Sequence, residues 1–595
     1  MRAWHVLTDN RRVQIPPRWI FYDTETFEER VGEGRTAHRL RLGTAKYVWY
    51  DDEFIPLEAN WCGFCDVKKF WDWVESKFGE KSTIYLCAHN QSFDFAVVDG
   101  FDELVRRGWK MSTPIIDSNI FVVSFRKEKK RLKVIDSTNF FKFSLKKLGE
   151  WVGLPKMEVD FQKASDGELL YYCTRDVEIL EKAMVTWLKF IKQNNLGNFR
   201  PTVSGQAFQA FRHRFMKYKI YIHAHKYALK LEREAYRGGR CECFRIGRIR
   251  EKVYALDFNS LYPSTMEKGI YPTKLVTYIR LGSIDGLMRA MEEFLVIARV
   301  RIKIEEPAIA VKQKRLVFPV GEFDVTLTTP EIIWVLENGR LLKVYDYAVY
   351  ESAPIFRQWV ESLYPMRKGF KAQGDVVNAE LTKLLMNSLY GKFGQRQEVT
   401  EVVGDAPPGE SGVINCIDHK THEVFRLVTF GGRVFKRKKG KDESCDSFPA
   451  VAAFVTAYGR MKLWEAMKTA GLENVYYCDT DSLFVNELGK EKLKGLLSPT
   501  ELGMLKVQGE GDDLVIFCPK DYIFAGKTKL KGISKGAKQV GENTFAQPRW
   551  LKFRTLLRMK SLDAPVVEET IKKMRRSYDK GVVQPDGRVK PFSLS

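Results

Sequence analysis

Residues 475–485 read VYYCDTDSLFV, with aromatic and aliphatic residues on both sides of two aspartates. The flanks favour β-strands, and the central Asp479-Thr480-Asp481 predicts a hairpin turn that carries both carboxylates at its tip. Acidic hairpin turns are commonly solvated loops, but the apolar flanks make full solvation of this turn unfavourable. Asp479 and Asp481 are therefore candidates for chemistry.

An aspartate also ends an apolar strand much earlier in the chain. Residues 254–263 read YALDFNSLYP, in which Asp257 closes the strand and Pro263 cannot continue a β-ladder. If Asp257 and Asp481 share two divalent metal ions, those ions lower the pKa of a 3′-hydroxyl and neutralise a pyrophosphate leaving group. The pair therefore indicates nucleotidyl transfer.

A basic helix is predicted between these carboxylates. It places Lys383, Asn387 and Tyr390 on one face, at i, i+4 and i+7. A core helix would not carry lysine on such a stripe. Arg367 and Lys371 are also four residues apart, so three cations are available for a triphosphate that arrives with its metal.

The first third of the chain holds a second acidic set. Asp23 and Glu25 end an apolar strand at i and i+2, so both carboxylates project from one face and repel each other. Asp94 follows another apolar strand, and Tyr172 and Asp176 share one face of a predicted helix. Four such carboxylates supply what two Mg²⁺ or Mn²⁺ ions need for phosphodiester hydrolysis. Without the other motifs, a surface position for Glu25 at the end of a strand is as good an interpretation as metal binding.

Six motifs occur in one order along the chain. DxE (23–25), NxxFD (90–94) and YxxxD (172–176) resemble the three motifs of the 3′–5′ proofreading exonuclease in family B DNA polymerases. Further along, DxxSLYP (257–263), KxxxNSxYG (383–391) and DTDS (479–482) resemble motifs A, B and C of the same family. Each motif is weak alone, but six ordered motifs with two separate chemistries are specific. The resemblance spans residues 23 to about 535.

The resemblance implies roles for the matching exonuclease residues. The four carboxylates of the N-terminal set would bind the metal ions, and Tyr172 would orient the attacking water. Lys156, in PKMEV (155–159), occupies the place of the catalytic lysine of the protein-primed members, where Lys146 and Lys147 compete with it. The residues that would hold a single-stranded 3′ end are Thr26, Asn90 and Phe93.

In the second site, the resemblance implies that Asp257 and Asp481 bind metal and that Asp479 supports them. Tyr262 would stack under the incoming sugar and exclude a 2′-hydroxyl, so deoxynucleotides are preferred. Lys383 would bind the phosphates of the incoming nucleotide. The other implied nucleotide-binding residues are Ser260, Leu261, Arg367, Lys371, Asn387 and Tyr390.

Two further motifs concern the primer. YRGG (236–239) resembles the YxGG motif that passes the primer end between synthesis and editing, and KDY (520–522) resembles the KxY motif that holds the primer terminus. The implied DNA-binding residues are Tyr236, Gly238, Gly239, Thr480, Lys520 and Tyr522. With the compact length and LYGKF (389–393), these motifs are similar to the protein-primed polymerases of phages and linear plasmids.

That branch carries two insertions within the polymerase motifs. The interval between motifs B and C has room for one of them, and its basic run 433–441 would let it encircle the template and favour strand displacement. The interval between motifs A and B is less distinctive. The priming mode therefore stays open between a terminal protein, a nucleic-acid primer and no primer at all.

Composition agrees with a nucleic-acid partner. The chain has 595 residues, with 97 Lys plus Arg against 75 Asp plus Glu, and a net charge of +22. This surplus favours a polyanion, nucleic acid before an anionic membrane. At roughly 150 residues per domain, the length predicts about four domains. We find no signal peptide and no apolar run of the ~18 residues that a membrane helix needs, so we expect a soluble, cytoplasmic monomer.

Cysteine usage does not indicate a disulfide scaffold, because only ten cysteines are spread over the chain. Cys62 and Cys65 form a CxxC pair without a second pair at zinc-ribbon spacing. Cys416, His419 and His422 form a looser triplet in a segment that reads better as a hairpin turn. Whether either group binds metal stays open.

The expected fold is a multidomain α/β protein with an RNase H-like 3′–5′ exonuclease domain (1–195) and a right-hand polymerase domain (196–595). The polymerase divides into palm (about 196–355 and 392–530), basic insertion (about 394–447), fingers (about 356–391) and thumb (about 531–595). The expected function is template-directed DNA synthesis with proofreading for a phage, plasmid or other mobile element. Its substrates would be primer–template DNA and dNTPs, with two Mg²⁺ (or Mn²⁺) ions per site. The alternatives are a primer-independent polymerase of the same family and a nucleic-acid-binding scaffold with nuclease activity only.

Overall fold

The chain folds into a series of mixed and antiparallel sheets with helices packed on them, which confirms the predicted α/β class. The computed structural model describes residues 2–117, 120–161 and 163–595. Over those residues, the helices are too short or too polar to cross a bilayer.

The N-terminal sheet has three parallel central strands. Strand Arg18–Gly32 pairs with Thr83–Ala88, which pairs with Lys130–Asp136. Trp19 faces one hydrophobic core and Ile20 the other, so the apolar run is continuous because both faces of the sheet are covered. The remaining strands of this part of the sheet are Arg35–Tyr50, Pro56–Phe64, Lys110–Met111, Ile115–Ile116 and Phe121–Lys127.

Helices cover the two faces of this sheet. Asp166–Gln193 packs on one face, and it begins with a capping box in which Ser165 and Glu168 satisfy each other's backbone amides. Val67–Ser76 packs on the opposite face through buried Phe70, Trp71 and Val74. The shorter helices here are Gln91–Val97, Gly100–Arg106 and Leu145–Val152.

The C-terminal segment returns to the same sheet. Strand Val566–Lys573 pairs with Arg35–Tyr50, with Val566 opposite Ala37, and Thr544–Trp550 and Lys538–Gly541 extend the sheet beyond it. Three strands of the segment that the sequence predicts as a thumb, about 531–595, therefore continue the N-terminal sheet.

A five-stranded antiparallel sheet carries the central carboxylates. Val475–Asp479 and Ser482–Asn486 form the predicted hairpin, which is confirmed by the pairing of Asp479 with Ser482. Val253–Phe258 pairs with the second hairpin strand. The long apolar helix Pro449–Ala470 packs behind this sheet. Its other strands are Cys241–Cys243 and Leu505–Gly511.

The interval between motifs A and B contains a second sheet, which the sequence did not make distinctive. The strands from this interval are Tyr271–Arg280, Gly339–Ala353, Leu295–Ile304 and Val320–Thr328, and the C-terminal strand Ser593–Leu594 joins the edge of the sheet. Helices Leu261–Lys268, Ile284–Glu293 and Thr329–Asn338 accompany these strands.

Two helices next to this sheet occupy the segment that the sequence predicts as fingers. Arg357–Ala372 is followed by Val376–Ser388, and Gly374 turns the chain between them with a φ of +73°. Asp375 caps the second helix by accepting a hydrogen bond from the amide of Asn378. Tyr390 lies in a separate short helix, Tyr390–Phe393, so the helix predicted to carry Lys383, Asn387 and Tyr390 is divided in two.

The insertion at 394–447 forms its own four-stranded sheet, of strands Thr400–Asp405, Gly412–Ile417, Val424–Phe430 and Arg433–Lys438. Residues 418–422 turn between two of these strands, which confirms the hairpin interpretation of Cys416, His419 and His422. Among the residues that the structure describes, the ligand atoms of this triplet do not converge.

Aromatic contacts fix this insertion to the N-terminal sheet and to the C-terminal segment. The Phe430 ring lies 5.5 Å from Phe101 and 5.1 Å from Phe553, centroid to centroid. The remaining elements include helices Val203–Ala210, Lys226–Ala235, Glu487–Lys492 and Phe553–Met559, the π-turn Phe211–Phe215, and strands His5–Val6, Tyr221–Ile222, Gly247–Ile249, Leu514–Cys518, Asp521–Phe524 and Lys527–Lys529.

Candidate active sites

Three carboxylates of the N-terminal set converge. Asp23 and Glu25 project from one strand toward Asp176 on helix Asp166–Gln193, and their ligand oxygens lie within 4.8 Å of one another. Burial, then the neighbouring carboxylates, raise the pKa of Asp23, and burial and Asp176 raise the pKa of Glu25 to about 7. Protonation or a cation relieves the repulsion between like charges held this close, and an all-oxygen donor set fits a hard divalent ion.

Asp94 lies beside this trio rather than within it. Its Oδ1 accepts a 2.7 Å hydrogen bond from the hydroxyl of Thr24, and its side chain is buried. Burial raises the pKa of Asp94 to about 8, although the Thr24 hydrogen bond opposes the shift. The negative charge of Asp94 also contributes to the raised pKa of Asp23, so the two carboxylates interact electrostatically. The fourth predicted carboxylate is therefore a neighbour of the converging three.

Lys156 contacts two of the predicted residues. Its ammonium is hydrogen-bonded to Asp176 and lies 4.4 Å from the ring centroid of Tyr172. Burial opposes the charge of Lys156, but Asp176 outweighs burial and raises the lysine pKa. The competing Lys146 pairs with exposed Glu158, and Lys147 lies over the rings of Phe143 and Trp151. Of the three lysines, Lys156 is the one that contacts the acidic site.

A backbone turn orients the segment that carries Asn90 and Asp94. Asn90 adopts a left-handed conformation with a φ of +80° just before helix Gln91–Val97. The amides of Asn90 and Gln91 donate to the carboxylate of Asp136, at 3.1 and 2.9 Å. Asp136 ends the neighbouring strand and is buried. The sequence reasoning missed this residue, because a lone strand-end aspartate carries no motif.

An aromatic cluster borders the acidic site. The ring of Phe93 meets Trp550 edge-on at 5.3 Å, and Trp550 lies 4.9 Å from His38. His38 in turn is hydrogen-bonded to the hydroxyl of Thr26 at 3.0 Å. The sequence predicted Thr26 and Phe93 as ligands of single-stranded DNA but missed His38 and Trp550. Trp550 reaches the site because the C-terminal strands extend the N-terminal sheet, which no local signal indicates.

The second site lies where the two apolar strands end. Asp257 is opposite Ser482, and the Phe258 amide donates to the backbone oxygen of Asp481 at 2.8 Å. Burial and then Asp257 raise the pKa of Asp481 to about 6. Burial also raises the pKa of Asp257, against the opposing charge of Lys506, whose Nζ lies 3.9 Å from Asp257 Oδ2. Lys506 is a further residue that sequence reasoning missed.

Two cavities meet at Asp257 and Asp481. One, of about 590 Å³, is lined by residues of helices Arg357–Ala372 and Val376–Ser388, which include the three predicted phosphate-binding cations. The other, of about 690 Å³, is walled by Asp479 and the KDY motif. Of the predicted site residues, the first cavity is lined by Ser260, Arg367, Lys371, Lys383 and Asn387. The second cavity is lined by Asp479, Thr480, Lys520 and Tyr522.

The first cavity ends near a pair of tyrosines. The rings of Tyr262 and Tyr390 lie 4.9 Å apart, and Arg367 donates to the hydroxyl of Ser260 at 3.3 Å. The side chain of Leu261 is buried in the core, so this residue has only backbone atoms to offer a nucleotide. The two rings are tilted by 45° to each other, and neither tyrosine is among the residues that line the first cavity.

The YRGG segment lies against the acidic turn. The amide of Thr480 donates to the backbone oxygen of Arg240 at 2.6 Å, and Thr480 has a φ of +64°. A Cβ added to Gly239 would meet Thr480 Cγ2 at 2.8 Å, so only glycine allows this approach. Lys520 pairs with Asp479 at 3.3 Å from the other side. Both primer motifs therefore contact the turn that carries Asp481.

Comparison with known proteins agrees with this geometry. The sequence model of the family "DNA polymerase type B, organellar and viral" matches residues 156–462, more than half of the chain. A probable DNA polymerase of Neurospora intermedia is 23% identical over 374 residues, which are 60% of this chain and 37% of that protein. The chain thus spans little more than a third of that relative. The DNA polymerase of Bacillus phage phi29 is 24% identical over 465 residues, 70% of this chain and 74% of its own length.

The fold is that of a solved polymerase. The structure of Phi29 DNA polymerase complexed with primer–template DNA superposes with a TM-score of 0.68 at 18% identity, covering 94% of this chain and 100% of that one. At this identity the similarity establishes the fold alone. With the family match over the central half, it follows that the chain belongs to the organellar and viral type B DNA polymerases.

Proposed function

We propose that this chain is a DNA-directed DNA polymerase with a proofreading 3′–5′ exonuclease. The observation that carries the polymerase activity is the position of Asp257 and Asp481 between two unlike cavities. The cavity walled by cations fits a nucleoside triphosphate, and the cavity walled by Lys520 and Tyr522 fits a primer terminus. The two reactants of nucleotidyl transfer would then meet at the paired carboxylates.

Mg²⁺, with Mn²⁺ as the alternative, fits both acidic sites because the converging donors are carboxylate oxygens. Asp257 and Asp481 would hold the ions in the polymerase site. Asp23, Glu25 and Asp176 would hold them in the nuclease site. When bound, such ions lower the pKa of an attacking hydroxyl or water and stabilise the leaving oxygen. Two ions per site is the proposed number.

The polymerase residues bind and orient the nucleotide. Lys371 and Lys383 face the cavity from the two fingers helices, where they would neutralise the triphosphate. Tyr262 packs against Tyr390, and the pair would support the sugar and base while leaving no room for a 2′-hydroxyl. This arrangement would select deoxynucleotides by shape.

In the nuclease site, Lys156 balances part of the negative charge through Asp176 and fixes Tyr172 beneath it. Tyr172 would then orient the attacking water. Phe93 and Trp550 supply ring faces on which the last bases of a frayed 3′ end can stack, each base adding about 1–3 kcal/mol. A mismatched end, which frays more readily, would therefore be removed preferentially.

We extend the proposal to strand displacement and protein priming, acting as a monomer in the host cytoplasm. The insertion supports strand displacement, because its Phe430 packs on the N-terminal sheet and its strand Arg433–Lys438 is strongly basic. Protein priming rests on the resemblance of YRGG and LYGKF to the protein-primed branch. A start without any primer is the alternative within the family.

Primer extension by Asp257→Asn tests the polymerase activity. We expect a loss greater than the ~10–100-fold that outer-shell metal partners cause, because Asp257 would contact the metal itself. Asp513→Asn is the matched control, since Asp513 is an aspartate paired with Arg248 away from both cavities. Extension by Asp257→Asn at the parental rate would refute the assignment.

The double variant Asp23→Ala plus Glu25→Ala tests the nuclease. Degradation of a single-stranded 3′ end should disappear while primer extension persists, since the two sites are separate. Unchanged degradation would show that the nuclease site is elsewhere. If the parent binds DNA but shows no metal-dependent turnover in either assay, the chain is a nucleic-acid-binding scaffold instead.

The priming mode is tested by offering template and dNTPs with no primer, with a DNA primer, or with a candidate terminal protein. We expect product covalently linked to the terminal protein. Product from template alone would refute the need for a primer. Product from the DNA primer alone would exclude both other modes under these conditions.

A further inference from the structure

A mixed group of metal-ligating side chains lies apart from both active sites. The ligand atoms of His5, Cys445 and Asp446 all lie within 4.8 Å of one another. Over the residues that the structure describes, this is one of two groups of three that converge so closely, and the other is the nuclease trio. The trio offers oxygen alone, whereas this group offers one nitrogen, one sulfur and one oxygen. Such a mixed donor set suits a borderline-soft cation.

The three residues come from distant parts of the chain. His5 is in the short N-terminal strand His5–Val6. Cys445 and Asp446 lie in a turn at the C-terminal end of the insertion, just before helix Pro449–Ala470. A ligand shared by all three would therefore attach the N-terminal strand to the base of the insertion.

The hydrogen bonds of the His5 ring leave one nitrogen available. Nδ1 lies 3.0 Å from the backbone oxygen of Ala3, which can only accept, so Nδ1 carries a hydrogen. In the neutral ring, Nε2 then presents a lone pair to Oδ1 of Asp446, which is 3.1 Å away and is also an acceptor. Two acceptors meet at this distance when the ring is protonated or when a cation binds both. Metal-bound histidines commonly donate their other ring N–H to a backbone carbonyl in this way.

A separate contact orients the carboxylate. Arg212 lies 3.3 Å from Oδ2 of Asp446, and it donates to the backbone oxygen and the hydroxyl of Thr8 at 2.7 and 3.0 Å. Because Oδ2 is used by Arg212, Oδ1 is left to face His5. Carboxylates that bind metals are typically held by such hydrogen bonds.

The turn that carries the thiol is fixed as well. The amide of Ser447 donates to the backbone oxygen of Ser444 at 3.2 Å, which closes the turn around Cys445. Arg2 donates to the hydroxyl of Ser447 at 2.8 Å. The ligands are thus positioned by contacts other than those with one another.

The distances are close to those of a tetrahedral zinc site. Bonds of about 2.0–2.3 Å from Zn²⁺ to nitrogen, oxygen and sulfur place the ligand atoms about 3.3–3.8 Å apart. From the 4.8 Å limit the thiol must move by at most about 1.5 Å, which rotation of the exposed Cys445 side chain can supply. The side chains of His5 and Asp446 are 30% and 33% exposed, so a metal has a path from solvent.

We propose that His5, Cys445 and Asp446 bind one Zn²⁺ ion. Three protein ligands leave the fourth tetrahedral position to water. Binding forms a bond between the metal and Sγ of Cys445 and releases the thiol proton to solvent. The thiolate and the carboxylate then carry two negative charges, which match the charge of the ion. The bound ion holds the N-terminal strand against the turn that ends the insertion.

Titration with Co²⁺, a spectroscopic substitute for Zn²⁺, tests the site directly. An excess of Mg²⁺ competes for the all-oxygen sites, and only a thiolate ligand gives a sulfur-to-cobalt charge-transfer band. The parent should show this band at one equivalent, and Cys445→Ser should lose it. Cys65→Ser is the matched control, because Cys65 is also an exposed cysteine and lies outside the group. A band that disappears in Cys65→Ser instead would place the metal at the CxxC pair and overturn the proposal.

Competition with a chelator distinguishes a metal site from an ion pair between protonated His5 and Asp446. With Mg²⁺ present, Cys445→Ser and His5→Gln should each weaken Zn²⁺ binding by more than the ~10–100-fold that outer-shell partners cause, since each removes a ligand. Equal Zn²⁺ affinities for the parent and Cys445→Ser would show that the contact is only an ion pair, and the proposal would fail.

Hydrogen exchange tests the attachment of the N-terminal strand. Zn²⁺ should slow amide exchange in His5–Val6 of the parent but not of Cys445→Ser, because the ion joins this strand to the turn. Exchange that Zn²⁺ slows equally in both proteins, or in neither, would overturn the attachment. These measurements need neither DNA nor nucleotide, so their outcome is independent of the proposed polymerase and nuclease activities.

Discussion

Gly239→Ala should impair synthesis by displacing the acidic turn rather than by touching DNA. The added Cβ would lie 2.8 Å from Cγ2, 3.0 Å from Oγ1 and 3.1 Å from Cβ of Thr480. Thr480 is β-branched and already has a φ of +64°, and its amide is fixed to Arg240 at 2.6 Å. It cannot retreat by rotating its side chain, so the turn must move.

The size of the effect follows from the cost of overpacking, about 1–3 kcal/mol. The relaxed variant would hold Asp481 away from its working position, and restoring that position would cost the same amount. At 1.36 kcal/mol per factor of ten, primer extension should fall about 5- to 160-fold. Degradation of a single-stranded 3′ end should be unchanged, because the nuclease carboxylates are on another sheet.

The assay is single-turnover primer extension, with DNA-free thermal melting measured beside it. Gly238→Ala is the matched control, since a Cβ at Gly238 has no atom within 4 Å and should not lower the melting temperature. Adding Thr480→Gly to Gly239→Ala removes all three crowding atoms and should recover most of the lost melting temperature. Parental extension by Gly239→Ala, or no recovery in the double variant, would refute the crowding argument.

Three other outcomes follow from buried charges. Arg240→Met should destabilise the protein by about 3–5 kcal/mol because it leaves buried Glu242 unpaired, and Arg240→Met plus Glu242→Met should recover much of the loss in thermal melting. Burial lowers the pKa of Lys462 from 10.5 to about 8, so the parent should gain stability as pH rises from 8 to 10.5. Lys462→Met should therefore have a higher melting temperature than the parent at pH 7. This difference in melting temperature should disappear by pH 10. Mg²⁺ at 100 times its Kd should stabilise the parent by about 2.7 kcal/mol, and calorimetry should show a smaller gain for Asp23→Ala plus Glu25→Ala.

The sequence predicted those features whose cause is local. The hairpin at 475–485 forms because its flanks are β-prone and its centre is polar, and helix Val376–Ser388 forms from periodicity and the Asp375 cap. The acidic trio could be anticipated because Asp23 and Glu25 share a strand face. In each case the local structure is determined by residues that are close together in the sequence.

The rest depends on pairing between distant segments. Nothing around Val566 indicates that its strand will lie beside Ala37, because register is set by the surface that a strand meets after folding. Trp550 therefore reaches the nuclease site without any motif. Lys506 is similar, since it faces Asp257 from the adjacent strand of the sheet and one lysine among many carries no signal.

The C-terminal segment connects the N-terminal sheet to the region around the second acidic site. Val566–Lys573 belongs to the N-terminal sheet, yet Arg576, a few residues later, pairs with Asp521 of the KDY motif at 3.2 Å. Lys580 then donates to the backbone oxygen of Cys241, beside the YRGG segment, at 2.7 Å. Any movement of the N-terminal sheet away from the strands that hold Asp521 and Cys241 must stretch this short connection or break these contacts. These contacts therefore oppose any change in the separation between the two sets of carboxylates.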